Sequence, residues 1–203
     1  MIESWSVPLL WPGKTVAILA SGPSMSQEVA DRVRSASIPT IVINTTIRLA
    51  PWADMLYAAD QGWWLRHGKD TAGFEGLRVS STPTSSRMGV HVLINTGKVG
   101  FDSDPHCVRT GGNSGHAAIH VAVHAGAKRI LLCGYDMRGG HWHSRHPDPL
   151  RNASDGIYPR WIRHFGALAP ELSVRGVEVL NCTPGSALTV WPYVDLEEAL
   201  SNV

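Results

Sequence analysis

Three histidines lie close together in a polar loop over residues 137–157: His141, His143 and His146. A histidine has a pKa near neutrality, so it can take a proton from a hydroxyl group at physiological pH. Loops also carry a disproportionate share of catalytic side chains. The loop therefore predicts a general base, although the spacing does not select one histidine. Zinc binding by the His-x-His pair is an alternative that lacks a third ligand nearby, and a plain solvated loop is another.

Two glycine-containing turns each lead from a predicted strand or loop into a predicted helix. Backbone N–H groups at such a turn can face an anion at the positive end of the helix. Neither turn matches a P-loop or a dinucleotide-binding fingerprint, and either could be an ordinary turn with a helix cap, such as Ser24. The candidate phosphate-binding residues are Ser21, Gly22, Pro23, Ser24, Asn113, Ser114 and Gly115.

Two aspartates, Asp60 and Asp136, end predicted strands. Carboxylates at this position could hold Mg²⁺ beside a diphosphate, or they could cap the helices that follow. Mg²⁺ is the one cofactor that the residues suggest, and no other is predicted. Trp63 and Trp64 follow Asp60 in the sequence. We expect these two side chains to pack against the sheet rather than to stack on the base of a nucleotide.

A second group of histidines, His116, His120 and His124, shares one face of a predicted helix. A single metal ion could not contact all three, because eight residues of helix span about 12 Å. We expect these side chains to be partly buried and hydrogen-bonded, or exposed at an interface.

The elements that position these residues alternate between strands and helices. Short apolar runs predict buried strands at 15–20, 38–44, 55–60, 129–136 and 177–182, and helical patterns cover 25–36, 61–67, 114–125 and 158–174. This alternation is typical of a single α/β domain over residues 1–203, with a Rossmann-like, doubly wound, mostly parallel sheet in three α/β/α layers. Residues 68–110 are expected to form an irregular insert with one strand near 90–94. Ligands of such sheets bind at the carboxyl ends of the strands, near the switch in strand order.

Composition excludes several classes of protein. Lys plus Arg number 18 and Asp plus Glu number 17, so the formal charge is +1 and does not favour general nucleic-acid binding. The apolar runs are much shorter than the roughly 20 residues of a spanning helix. The first residues lack a basic segment followed by an apolar stretch, so we expect a cytoplasmic protein with no membrane span.

Several of these motifs together resemble the bacterial sialyltransferase-like superfamily, which includes the DUF115 proteins related to 6-hydroxymethylpterin diphosphokinase. The matching segments are residues 20–25 (ASGPSM), Asn44, residues 113–118 (NSGHAA), residues 126–136 (GAKRILLCGYD) and residues 182–188 (CTPGSAL). The similarity spans about residues 14–190. The chain departs from the family at two points. Ala20 replaces the first glycine of the family's Gly-x-Gly-Pro-Ser turn. The loop over 137–155 is shorter than the family's loop, and it offers only Tyr158 as a nearby phenol side chain.

The resemblance implies a Rossmann-like sheet that holds a nucleotide donor. Gly22, Pro23, Ser24, Ser114 and Gly115 would lie near the phosphates, and Asn44 would lie near the ribose or base. The family's general base is a histidine in the loop after the Gly-x-Asp strand. His143 is the first candidate, because His143-Ser144 is similar to the family's His-Ser pair, with His141 or His146 assisting.

The sequence thus predicts a transferase that moves an activated group from a nucleotide or nucleotide-sugar to a hydroxyl of a small molecule or glycan. One alternative is a Mg²⁺-dependent diphosphokinase that acts on a small hydroxymethyl compound. The other is an accessory protein that binds a nucleotide without catalysis.

Overall fold

A computed structural model describes residues 5–83, 88–145, 150 and 152–203. The nine strands of these ranges are β1 (Thr15–Leu19), β2 (Thr40–Ile43), β3 (Met55–Tyr57), β4 (Leu77–Ser80), β5 (His91–Val92), β6 (Ile94–Gly97), β7 (Cys107–Arg109), β8 (Arg129–Cys133) and β9 (Glu178–Asn181). The helices are α1 (Gln27–Ser35), α2 (Gln61–His67), α3 (Ser114–His124), α4 (Tyr158–Val174) and α5 (Leu196–Ser201), with short 3-10 helices at Asn44–Arg48 and Gly68–Thr71.

Seven strands form one parallel sheet in the order β5-β4-β3-β2-β1-β8-β9, and β6 pairs with β7 in a separate parallel pair. The chain moves outward in one direction from β1 to β5 and then returns to add β8 on the other side of β1. The switch in strand order therefore lies between β1 and β8. The Rossmann-like α/β architecture expected from the sequence is confirmed.

The two faces of the sheet are covered by different helices. Ile18 and Ile130 point to the face covered by α3 and α4, where Phe165 is fully buried. Leu19 and Leu131 point to the opposite face, which is covered by α1, α2 and α5. Adjacent strand residues are buried on both faces, which explains why β1 and β8 are continuous apolar runs and could be recognised in the sequence.

The prediction of an irregular segment over 68–110 is wrong in part. The segment contributes β4 and β5 to the main sheet, and its strands β6 and β7 form the second pair. The strand β5 lies within the strand expected near 90–94, whereas β4, β6 and β7 escaped the sequence pattern, because they have three or four residues each and no continuous apolar run, as in Leu77-Arg78-Val79-Ser80. They lie beside other strands because of tertiary pairing rather than local preference.

Trp63 and Trp64 pack in the interior, as the favoured alternative predicted. They are 3% and 1% exposed, and their indole N–H groups donate to Thr45 Oγ1 (3.1 Å) and to the Ala58 carbonyl (2.8 Å). These tryptophans anchor α2 against the end of β3.

The stripe of histidines on α3 is internal rather than an interface. His116 and His120 are fully buried, and burial lowers their pKa values to about 4 and about 3. His116 Nδ1 lies 2.9 Å from the Arg109 carbonyl, and His124 Nε2 lies 3.2 Å from the Cys107 carbonyl. The three rings are therefore neutral packing groups of the helix.

Candidate functional site

A cleft of about 380 Å³ opens at the carboxyl ends of β1, β2 and β8, at the switch in strand order. Its walls come from the loops that follow these strands and from the first turns of α3 and α4. The lining residues used below are Ser21, Gly22, Asn44, Asp60, Lys98, Gly112, Asn113, Ser114, Gly115, Tyr135, Met137, Arg138, Gly140, His141, Tyr158, Arg160 and Trp161. The cleft thus brings together most of the residues that the sequence selected.

The turn after β1 lines the cleft, but the N–H groups of Gly22 and Ser24 are bonded within the protein. The N–H of Gly22 donates to the Gly134 carbonyl at 2.9 Å, the N–H of Ser24 donates to Asp136 at 3.2 Å, and Pro23 has no N–H. The hydroxyl of Ser21 is also internal, because it donates to the Ile43 carbonyl. These three donors, which were expected to contribute to a phosphate cradle, therefore have partners within the protein.

The glycine at position 22 is required by packing between two loops. A Cβ atom there would lie 2.0 Å from Asp136 Oδ2 and 2.4 Å from the Gly134 carbonyl oxygen. No side chain fits in that space. The β1 turn and the loop after β8 thus touch through backbone.

Asp136 joins these two loops and does not line the cleft. Its carboxylate accepts hydrogen bonds from the N–H and the hydroxyl of Ser24, and it is 5% exposed. Burial raises the pKa of this carboxyl, and the bonds from Ser24 oppose that shift. Asp136 is consequently a structural acceptor, and Ser26 rather than Ser24 caps α1.

Two residues in the segments that follow β2 and β8 adopt left-handed backbone conformations at the cleft. Asn44 has φ 51° after β2, and Met137 has φ 53° in the loop after β8. Left-handed φ is uncommon for residues with a Cβ, although asparagine tolerates it better than most. Such conformations cluster at binding sites, where the surrounding structure imposes them. The strain at Asn44 and Met137 thus marks this rim of the sheet.

The amino terminus of α3 is the second predicted cradle, and it does open onto the cleft. Asn113 caps the helix by accepting the His116 N–H at 2.9 Å. The Ser114 hydroxyl accepts the Ala59 N–H at 3.2 Å and donates toward Asn44 Oδ1 at 3.4 Å. The first N–H groups of a helix have no partner within the helix, so the N–H groups of Ser114 and Gly115 are suited to an anion.

Three cationic side chains line the same cleft: Lys98 beyond β6, Arg138 beyond β8 and Arg160 in the first turn of α4. Asp60 is the only carboxylate among the described lining residues. Within the described ranges, none of the three cations makes a hydrogen bond or an ion pair. The described lining therefore carries a net positive charge, with three cations and one carboxylate, although the whole chain is nearly neutral.

The loop histidines separate in the structure. His141 lines the cleft, whereas His143 stacks on His141, with ring centroids 5.1 Å apart, and lies outside the lining. His146 lies outside the described residues. The first choice of His143 as general base therefore does not fit the geometry, because the position two residues earlier faces the cleft.

The contacts of His141 suit a proton acceptor. Its Nδ1 lies 3.3 Å from the Ser21 carbonyl oxygen, which can only accept, so Nδ1 carries the proton and Nε2 has the lone pair. Burial lowers the pKa of His141. The ring is thus neutral and held in one tautomer at pH 7, as a general base requires.

The two aspartates proposed for Mg²⁺ have different positions. Asp60 is exposed in the cleft, and its side chain makes no capping bond to α2. Asp136 is bonded to Ser24 behind the cleft wall. Within the described ranges, no three His, Cys, Asp or Glu side chains form a group suited to a metal ion. Asp60 fits a Mg²⁺ ion that is held mainly by ligand phosphates, and Asp136 does not.

One wall of the cleft is aromatic and comes from α4. The Tyr158 hydroxyl accepts the Gly140 N–H at 3.1 Å, which ties α4 to the histidine loop. Trp161 packs edge-on against Tyr158, and its indole Nε1 is buried without a hydrogen-bond partner among the described residues. Four of the lining residues were not predicted from the sequence, because no local pattern distinguishes them from surface residues: Lys98, Arg138, Arg160 and Trp161.

Comparison of the chain with protein-family models, curated proteins and solved structures found no match. Among the helices of the described residues, none is both long enough and apolar enough to span a bilayer.

Proposed function

We propose that the protein is a transferase that binds a nucleotide or nucleotide-sugar donor in the cleft and moves the activated group to a hydroxyl acceptor. The observation that carries this proposal is the convergence of Lys98, Arg138 and Arg160 near the amino terminus of α3. Unpaired cations and helix N–H groups are the groups that proteins use to bind phosphates. The resemblance of the motifs to the sialyltransferase-like superfamily supports the same class.

In this proposal the two sides of the cleft have different tasks. The α3 terminus and the cations hold the phosphates of the donor, and Asn44 lies where the ribose or base would extend. His141 takes the proton of the acceptor hydroxyl as its oxygen attacks the transferred group. The leaving phosphate keeps the electron pair of the broken bond, and the nearby cations stabilise the charge that develops there.

Diphosphoryl transfer from a nucleoside triphosphate is a second candidate, and the position of Asp60 favours it. A single carboxylate together with substrate phosphates is a common environment for Mg²⁺. The ion would neutralise charge on the phosphates, so this reaction would need a divalent metal.

Thermal unfolding in the presence of a nucleotide and nucleotide-sugar panel, with either Mg²⁺ or EDTA, tests these candidates. A ligand at 100 times its dissociation constant stabilises the folded state by about 2.7 kcal/mol, which gives a measurable shift in Tm. A shift that persists in EDTA favours glycosyl transfer, and a shift that requires Mg²⁺ favours diphosphoryl transfer. No shift with any compound at millimolar concentration contradicts the proposal. Binding without turnover of any donor would identify an accessory protein instead.

A further inference from the structure

A second, smaller pocket of about 190 Å³ shares the 3-10 helix Asn44–Arg48 with the cleft. Asn44 lines the cleft, whereas the next residue, Thr45, lines the second pocket. The proposed transferase function does not use this pocket.

The walls of the pocket are flat and apolar. Trp63 and Phe74 are 3% and 9% exposed, and Ile47 completes the lining on the 3-10 helix. The hydrogen bond from Trp63 Nε1 to Thr45 Oγ1 fixes the indole ring. An apolar cavity of about 150 Å³ is large enough for benzene. The pocket is therefore large enough for one ring or two fused rings, and too small for a whole nucleotide.

The mouth of the pocket pairs a donor with an acceptor. Asp70 Oδ2 lies 3.8 Å from Arg48 Nη2 and 3.5 Å from His67 Nδ1. A guanidinium beside a carboxylate presents N–H donors next to an oxygen acceptor, which matches a ring edge that carries an adjacent C=O and N–H. His67 Nε2 is buried without a hydrogen-bond partner among the described residues, and it adds an unused polar atom to the same wall.

We propose that this pocket binds a free planar heterocycle of one or two rings with an adjacent N–H and C=O, such as the lactam edge of a nucleobase. The ring faces contact Trp63 and Phe74, and the lactam edge pairs with Arg48 and Asp70. Occupancy would also hold the 3-10 helix that begins at the strained Asn44. The proposal for this pocket does not rest on the proposed function of the cleft.

Isothermal titration of the whole chain with uracil and hypoxanthine tests the proposal, with indole as a ring that lacks the lactam edge. The main variant is Gly73→Leu. Gly73 lines the pocket, and a Cβ there meets no atom within 4 Å, so the longer side chain can fill the space without a clash. We expect saturable binding of at least one lactam and a loss of at least about tenfold in Gly73→Leu, where tenfold corresponds to about 1.4 kcal/mol.

Two surface variants keep the test valid if Gly73→Leu folds poorly. Asp70→Asn and Arg48→Gln change side chains that are 61% and 57% exposed, and each should weaken lactam binding about tenfold or more. Arg66→Gln, an exposed cation on α2 outside the pocket lining, is the matched control and should bind normally.

Three results would overturn the proposal. The first is the absence of saturable lactam binding to the unmodified chain. The second is binding of indole as tight as that of the lactams. The third is lactam binding that survives Gly73→Leu and Asp70→Asn but is lost in Arg160→Gln, which would place the ring in the cleft.

Discussion

Ser24 and Asp136 are 112 residues apart in the sequence, yet the Ser24 hydroxyl donates to Asp136 Oδ2 at 2.8 Å. The Ser24 N–H donates to the same carboxylate, so one side chain holds the turn after β1 to the loop after β8. These are the two loops at the switch in strand order. The bond therefore fixes the shape of the cleft from behind.

Removing this carboxylate should destabilise the protein. Asp136→Ala leaves two donors of Ser24 without their acceptor, and a bond to a charged group contributes about 1.5 to 3 kcal/mol. Asp136→Asn keeps one acceptor oxygen, so it should lose less stability than Asp136→Ala. Urea unfolding measures both. Asp31→Ala, at an exposed position on α1, should change the free energy of unfolding by less than about 0.5 kcal/mol. Equal stability of Asp136→Ala and the unmodified chain would contradict the structural role.

Gly22→Ala should separate the same two loops. The new Cβ would overlap Asp136 Oδ2 and the Gly134 carbonyl, and overpacking of this kind costs about 1 to 3 kcal/mol. Gly166→Ala is the control, because its Cβ on α4 meets no atom within 4 Å, and alanine there should stabilise the helix by up to about 1 kcal/mol. Thermal unfolding compares the two variants, and a Gly22→Ala Tm equal to that of the unmodified chain would contradict the close contact.

His141 and His143 give a prediction that separates the structure from the sequence motif. Under the proposed mechanism, His141→Gln should lower turnover by about 10² to 10⁴ and leave donor affinity nearly unchanged, because the base contacts the acceptor. His143→Gln should have a much smaller effect on turnover, since His143 is outside the cleft lining. Steady-state kinetics with the donor identified by thermal shift measures both. The reverse order of effects would restore His143 as the base.

The strands that the sequence predicted and those that it missed differ in burial. β1 and β8 lie in the centre of the sheet, so every residue from Val16 to Leu19 and from Ile130 to Cys133 is buried and the apolar run is easily seen. β4 alternates Leu77 and Val79 with polar residues, and its strand partners are known only from the tertiary fold. Strands that form continuous apolar runs are therefore predictable from the sequence, and short strands without such a run, such as β4, are not.

The candidate site shows a similar division. Two features of the site were predictable. Asn44 directly follows a predicted strand, and the α3 terminus begins a predicted helix, so both were expected at the edge where the carboxyl ends of the strands meet. Lys98 and Arg160 come from segments 62 residues apart in the sequence, and only the packing of α4 brings them to one cleft. The choice between His141 and His143 depends on the loop backbone. In an irregular loop, the sequence does not determine which way two side chains two positions apart will point.

Acid should destabilise the protein through the buried histidines of α3. Burial lowers the pKa of His116 to about 4 and that of His120 to about 3, so the folded state binds fewer protons than the unfolded state below pH 6.5. Stability is therefore fully present above pH 6.5 and falls as the pH decreases toward these values. Each histidine contributes a slope of up to about 1.4 kcal/mol per pH unit.

Urea unfolding between pH 7.5 and 5 measures this slope. Replacing one buried ring in His120→Leu should reduce the slope by up to about 1.4 kcal/mol per pH unit, whatever its effect on stability at pH 7.5. An unmodified chain with constant stability over this range would contradict neutral burial of the two rings.

The positive charge of the cleft is most directly tested by a pair of arginines on α4. Arg160 lines the cleft, whereas Arg163, one turn further along the same helix, is exposed outside the lining. The measurement is the affinity of the stabilising nucleotide by isothermal titration for the unmodified chain, Arg160→Gln and Arg163→Gln. We predict that Arg160→Gln weakens binding by at least about tenfold, or about 1.4 kcal/mol, and that Arg163→Gln binds like the unmodified chain. Equal affinities of all three proteins for the nucleotide would contradict phosphate binding in this cleft.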